Sequence, residues 1–209
     1  MSDYVVIGQA GTGSVIVEAA LTMVGTPYRV EEVRHVDFAR HNPMVQVPAL
    51  ITPAGELITE SAAILIWLAE AHPEARLGPA PGDPGRAQFL RWMAFVSSAI
   101  YSLYWIRDDP SRIAGDETGK ALVRERTADR ILHCWSVMDS QVSPAPYLAG
   151  QTIGVLDLYV TVISRWGRRR KRFYEAAPKL GEVVRQVDAE PRLATLWAER
   201  FPFTDGWEG

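Results

Sequence analysis

A single cysteine, Cys134, is the only thiol in 209 residues. One cysteine excludes an internal disulfide framework and a CxxC redox pair. No stretch approaches the ~20 apolar residues of a membrane-spanning helix. The N-terminal "MSDYVVIGQAG" lacks the basic start and long apolar run of a signal peptide. A cytoplasmic protein with no membrane partner is the expectation. Excess positive charge is also missing: the net charge is −3, so whole-chain electrostatics do not argue for nucleic acid. What is present is ordinary for a globular chain, 47% apolar and 22% charged.

Charge is uneven along the chain. Residues 1–72 hold three arginines, no lysine and eight acidic residues, while the remainder is slightly basic. Between the two lies "PEARLGPAPGDPG" (73–85), with four prolines and three glycines. No helix or strand is expected at that density, so the segment reads as a linker or rigid loop. Before it the patterns alternate. "YVVIG" (4–8) is a short apolar strand. "SVIVEAALTMVG" (14–25) is helix-length, with Gly25 as its stop. "YRVEEV" (28–33) alternates as a strand. "VPALI" and "ELIT" bracket the turn-rich "TPAGE" (52–56), which suggests a hairpin. Val45, Val47, Ala49, Leu50 and Ile51 read as a buried strand, with Pro48 removing a ladder donor at its entry. "ESAAILIWLAEAH" (60–72) is a second strong helix. The order β-α-β-irregular-β-β-α, with the last two strands antiparallel, matches a thioredoxin-like half with a mixed sheet. After the linker the expectation is an all-α bundle, with helices near 85–107, 117–141, 154–167, 175–188 and 191–200. The domains are then 1–72 and 86–209, joined by 73–85.

The ordered set "NPMVQVPAL", "GELITESAAILIWLAE" and "YLAGQTIGVLDLYV" resembles the glutathione transferase superfamily over nearly the full length. Asn42, Pro43, Val47, Pro48, Glu60, Ser61, Ala63 and Ile64 fit the family pattern at family spacing. The resemblance implies a cis Val47–Pro48 bond that turns the Val47 N–H and C=O outward. An extended peptide such as glutathione then pairs with Val47 as an added strand. It also implies that Ser61 grips the γ-glutamyl carboxylate and Glu60 the ammonium, at a helix N-terminus whose free amides suit an anion. Gln46 is expected to contact the same tripeptide. The plain alternatives are that Pro48 only starts an edge strand and that Thr59 or Ser61 only caps the helix. In "GQTIGVLDLY" the resemblance is to a buried N-capping motif. Gly154 holds the cap, Asp157 the third helical position, and Ile153 and Leu158 are placed as a hydrophobic staple.

The thiol of glutathione must be held as thiolate to attack, and a hydroxyl donor near the end of the first strand would lower its pKa. The family position for Tyr falls at Gly8 or Gln9, and that for Cys in some bacterial members at Gly13. Ser14 and Thr12 are the hydroxyls available for the catalytic role. Ser14 also reads as a plain helix cap, and a backbone N–H of the Gly-rich loop is a further donor. Thiol-transferases that need Cys here and isomerases with a Ser-Ser-x-Cys signature do not fit. Cys134 reads as a buried structural thiol.

For the second substrate the facing stretch is "SSAIYSLYWIRDDP" (97–110). There Tyr101, Tyr104, Trp105 and Arg107 are candidates for an aromatic pocket with one cation, against the plain reading of bundle core. The run Arg168 to Arg172 reads first as a solvated helix end, and second as an electropositive rim for an anionic substrate. The resemblance implies a glutathione transferase with glutathione as co-substrate, a small electrophile as partner, no metal and a homodimer. A glutathione-dependent disulfide reductase or peroxidase, and a non-catalytic binding or scaffold protein, are the alternatives.

Overall fold

The computed structural model describes residues 3–35, 37–40, 42–167 and 170–203. The N-terminal half is a four-stranded sheet of β1 (Tyr4–Gly8), β2 (Tyr28–Glu32), β3 (Ala49–Ile51) and β4 (Leu57–Thr59). The strand order is β2-β1-β3-β4. β1 and β2 are parallel, with Tyr4 opposite Tyr28, because α1 (Ser14–Val24) crosses over between them. β3 runs antiparallel to both neighbours, pairing Ala49 with Ile7 and with Thr59. The mixed sheet is therefore as expected. α1 ends at Gly25, whose φ of 77° lets its N–H reach Leu21 O at 3.0 Å. The hairpin closes through Thr52 N to Glu56 O at 2.8 Å.

Alternation along the strands makes two layers. Tyr4, Val6 and Leu50 join the main core with α1 and α2 (Ser61–Ala71). Ile7 and Ala49 point the other way, against Phe38 in a 3₁₀ turn. β3 is shorter than its apolar run suggests. Val45 is 60% exposed at a φ of 53°, a conformation that a β-branched residue seldom adopts.

The C-terminal half is helical: α3 (Arg86–Phe95), α4 (Ser102–Asp108), α5 (Glu117–Gln141), α6 (Val155–Ser164), α7 (Lys171–Ala176), α8 (Pro178–Asp188) and α9 (Ala194–Arg200). The helix expected over 85–107 is interrupted by a π-helical turn, Val96–Tyr101. Ser98 Oγ bonds back to Ala94 O at 2.8 Å, a bond that competes with the helix ladder. The helix expected over 175–188 divides at Ala177, because Pro178 has no N–H to continue the ladder. Residues 73–85 hold one 3₁₀ turn, Pro73–Ala75, and bury Leu77.

Arg170 departs from the solvated reading of the basic run. It is fully buried and, with Arg165, grips the carboxylate of Asp188 on α8. Lys171 and Arg172 are exposed; Arg168 and Arg169 lie outside the described residues. Cys134 is buried, and burial pushes its thiol up, away from the thiolate.

Candidate active site

The sheet register gathers the first set of expected residues. Ala49 opposes both Ile7 and Thr59. The chain just beyond each of these three, Gly8–Gln9, Val47–Pro48 and Glu60–Ser61, therefore falls at one end of the sheet. The hairpin turn lies at the other end. The Val47–Pro48 bond is cis. Among the described residues, no turn, loop or cap backbone hydrogen bond engages Val47, which lies beyond the β3 ladder. The approach to Val47 is built by Asn42, buried within "NPMVQ". Its Nδ2 donates to Gln46 O at 2.7 Å and its Oδ1 accepts from Met44 N at 3.0 Å. The Gln46 side chain is exposed.

Glu60 precedes α2 with a φ of 66°. An exposed glutamate held in that region costs roughly 1–3 kcal/mol, a pattern that concentrates at functional sites. Ser61 is buried, and its Oγ lies 2.9 Å from Tyr159 Oη on α6. Tyr159 is a residue that motif reading missed as a site partner.

The Gly-rich loop between β1 and α1 is tightly bonded. Ser14 is fully buried; its Oγ accepts from Gln9 N at 3.0 Å and lies 3.2 Å from Glu18 Oε1 and 3.0 Å from Gln9 O. Thr12, half-buried, donates to Gln9 O at 2.7 Å. Two residues of the helical half clamp the loop. Trp166 Nε1 donates to Gly11 O at 2.9 Å, and Gly11 N donates to Arg200 O at 2.8 Å. No motif marks either one, and only the fold brings them there.

The second set divides. Tyr101 and Tyr104 pack edge-on against Trp166, with ring centroids 4.8 and 5.3 Å away. Arg107 lies over the Tyr104 ring at 4.3 Å and donates to Trp166 O at 2.9 Å. Trp105 faces elsewhere, half-exposed beneath Arg112 at 4.3 Å. Burial pushes the Tyr104 phenol up to about 12, and it raises Tyr101 and Tyr159 as well, with the charge of Glu60 adding to both. All three phenols are neutral at physiological pH. Among the described residues, no cluster of three His, Cys, Asp or Glu is placed to hold a metal ion, and no helix is long and apolar enough to cross a membrane.

Residues 14–71 match the family described as the glutathione S-transferase N-terminal domain. An Escherichia coli K12 relative, the uncharacterized GST-like protein YncG, is 28% identical over 90% of this chain and 94% of its own. The glutathione S-transferase GstA of E. coli O157:H7 is 22% identical over 75% of each chain. A glutathione transferase homologue from Sulfitobacter, solved with bound glutathione, superposes with a TM-score of 0.83 at 24% identity, covering 95% of this chain and 98% of that one. The match over residues 14–71, these relatives and the solved structure together support the glutathione transferase superfamily, whose thioredoxin-like sheet and helical second half this chain shares.

Proposed function

We propose that the chain binds glutathione and transfers it, as thiolate, to a small electrophile. The observation that carries this reading is the convergence at one end of the sheet of an unladdered Val47 and the Glu60–Ser61 start of α2. The tripeptide pairs with the Val47 backbone as an added strand. Its γ-glutamyl carboxylate lies at the amides of α2 beside Ser61, and its ammonium meets Glu60. Gln46, exposed beside Val47, contacts the same backbone. This arrangement directs the thiol toward the first turn of α1, whose helix dipole favours the anion. The thiol proton leaves to solvent. A sulfur lone pair then forms the C–S bond as the leaving group departs with its bonding pair. Tyr101, Tyr104 and Arg107, grouped around Trp166, form the wall against which the electrophile packs.

Support comes from the relatives as well: the glutathione-bound homologue shares this fold. The two units are assigned to residues 1–72 and 86–209, joined by 73–85, and the active form is taken as a homodimer. The test pairs retention on immobilised glutathione with turnover of a model electrophile. Both are expected. Retention without turnover makes the protein a binder, and loss of retention in wild type removes the Val47, Glu60 and Ser61 assignments.

A further inference from the structure

A thiolate at the start of α1 needs a donor, and the two hydroxyls of the loop have committed theirs. A hydroxyl carries one proton. That of Thr12 goes to Gln9 O, and that of Ser14 lies between Gln9 O and Glu18 Oε1 in a fully buried setting.

A third hydroxyl reaches the same place from the helical half. Gly13 is the N-cap of α1, at φ −62° and ψ −15°, angles open to any residue. Its lack of a side chain matters for space. A Cβ there would overlap Tyr101 Oη and lie 3.0 Å from Tyr101 Cζ. Tyr101 thus fills the volume that a side chain at position 13 would occupy. The π turn Val96–Tyr101 ends on this residue, and π turns recur at functional sites. The ring is fixed on two sides, by Trp166 at 4.8 Å and by Tyr159 at 6.3 Å. Trp166 is itself tied to Gly11 O, and Tyr159 to Ser61. Tyr101 is only partly buried, and among the described residues its hydroxyl has no hydrogen-bond partner, so its proton is open to a ligand at the start of α1.

We infer that Tyr101 donates a hydrogen bond to the sulfur of bound glutathione, supplying from the helical half the hydroxyl that Gly13 cannot. The thiol proton passes to solvent, and the anion rests at Tyr101 Oη, near the positive end of the α1 dipole. Burial keeps the phenol protonated, so it acts as donor and not as base. The inference rests on the proposed glutathione site.

Tyr101→Phe removes one oxygen and keeps the ring, so its fold is expected to persist. The readout is the ultraviolet absorbance of thiolate in the glutathione complex, titrated with pH. The variant is expected to raise the thiol midpoint by about one to two units, with glutathione affinity, measured at a pH below both midpoints, changed by no more than about twofold. Below the midpoint each unit removes about nine-tenths of the thiolate, so kcat/KM at mildly acidic pH falls roughly tenfold per unit and recovers as pH rises. An unchanged midpoint in the variant, with wild type ionising glutathione normally, overturns the role of Tyr101 and leaves the glutathione site standing. Wild type that neither binds nor ionises glutathione overturns both.

Discussion

Asp157 is wholly buried, and its carboxylate holds two backbone amides, Leu148 N at 2.9 Å and Gly154 N at 2.8 Å. Burial pushes its carboxyl up to about 7, against the pull of those donors. An unfolded aspartate titrates near pH ~4. Between about pH 4 and 7 the unfolded chain has released this proton and the folded chain retains it. The folded state therefore binds more protons, and this contribution to stability is lost as pH rises through that window. Asp157→Asn removes the titration. The stability advantage of wild type over Asp157→Asn is expected to shrink as pH rises from about 5 to about 8, measured by urea melts at each. A difference independent of pH would refute the assignment. Asp157→Ala strips both amides of their acceptor and is expected to lose about 2–4 kcal/mol at neutral pH.

The start of α6 shows what an element requires beyond its own sequence. Gly154 is a cap with no side-chain acceptor, where Ser or Thr would ordinarily be better. The structure supplies the reason: a Cβ at 154 would lie 2.7 Å from Leu77 O, and that carbonyl accepts Val155 N at 2.7 Å. Gly154→Ser, an improvement by capping rules, is therefore expected to destabilise by about 1–3 kcal/mol through crowding against the linker backbone. A thermal melt showing equal or higher stability would remove the steric account. The Asp157 half of the capping arrangement was legible, because Asp157, Ile153 and Leu158 sit at fixed offsets within one short stretch and Asp157 accepts Gly154 N. The gathering of Asn42, Val47, Pro48, Glu60 and Ser61 near one end of the sheet, where the proposed glutathione site lies, was legible for the same reason: they belong to two local motifs joined by a hairpin. The π turn was not, since the apolar pattern of 85–107 is compatible with an unbroken helix and a single wide turn shifts it only slightly. Nor was the burial of Arg170, because a run of basic residues gives no sign of an Asp188 on another helix. The crowding of Gly154 and the approach of Tyr101 to Gly13 are likewise invisible, as a lone sequence carries no signal for contacts so distant along the chain.

Across the whole molecule, the last described helix returns to hold the first. Arg200 on α9 reaches Glu18 of α1 at 2.8 Å through Nε, and Glu32 of β2 at 2.8 Å. Its carbonyl takes Gly11 N, and Glu18 in turn meets Ser14 Oγ. One residue thus ties the helical half to the sheet and to the loop at the start of α1. The Glu18 side chain is only 1% exposed, so its charge depends on this partner more than on water. Arg200→Met keeps the apolar stem and removes the cation. It is expected to cost about 3–5 kcal/mol, the range for breaking a buried pair from one side. Adding Glu18→Gln removes the stranded charge, so the double variant should regain part of that loss, and the non-additivity measures the coupling. Because the pair is largely shielded, the single-variant loss should change little with added salt. Equilibrium urea unfolding of the four proteins of this cycle decides it. A single variant as stable as wild type, or strict additivity, would mean that the clamp on the loop comes from the Trp166 indole and the Arg200 backbone carbonyl and not from this charge.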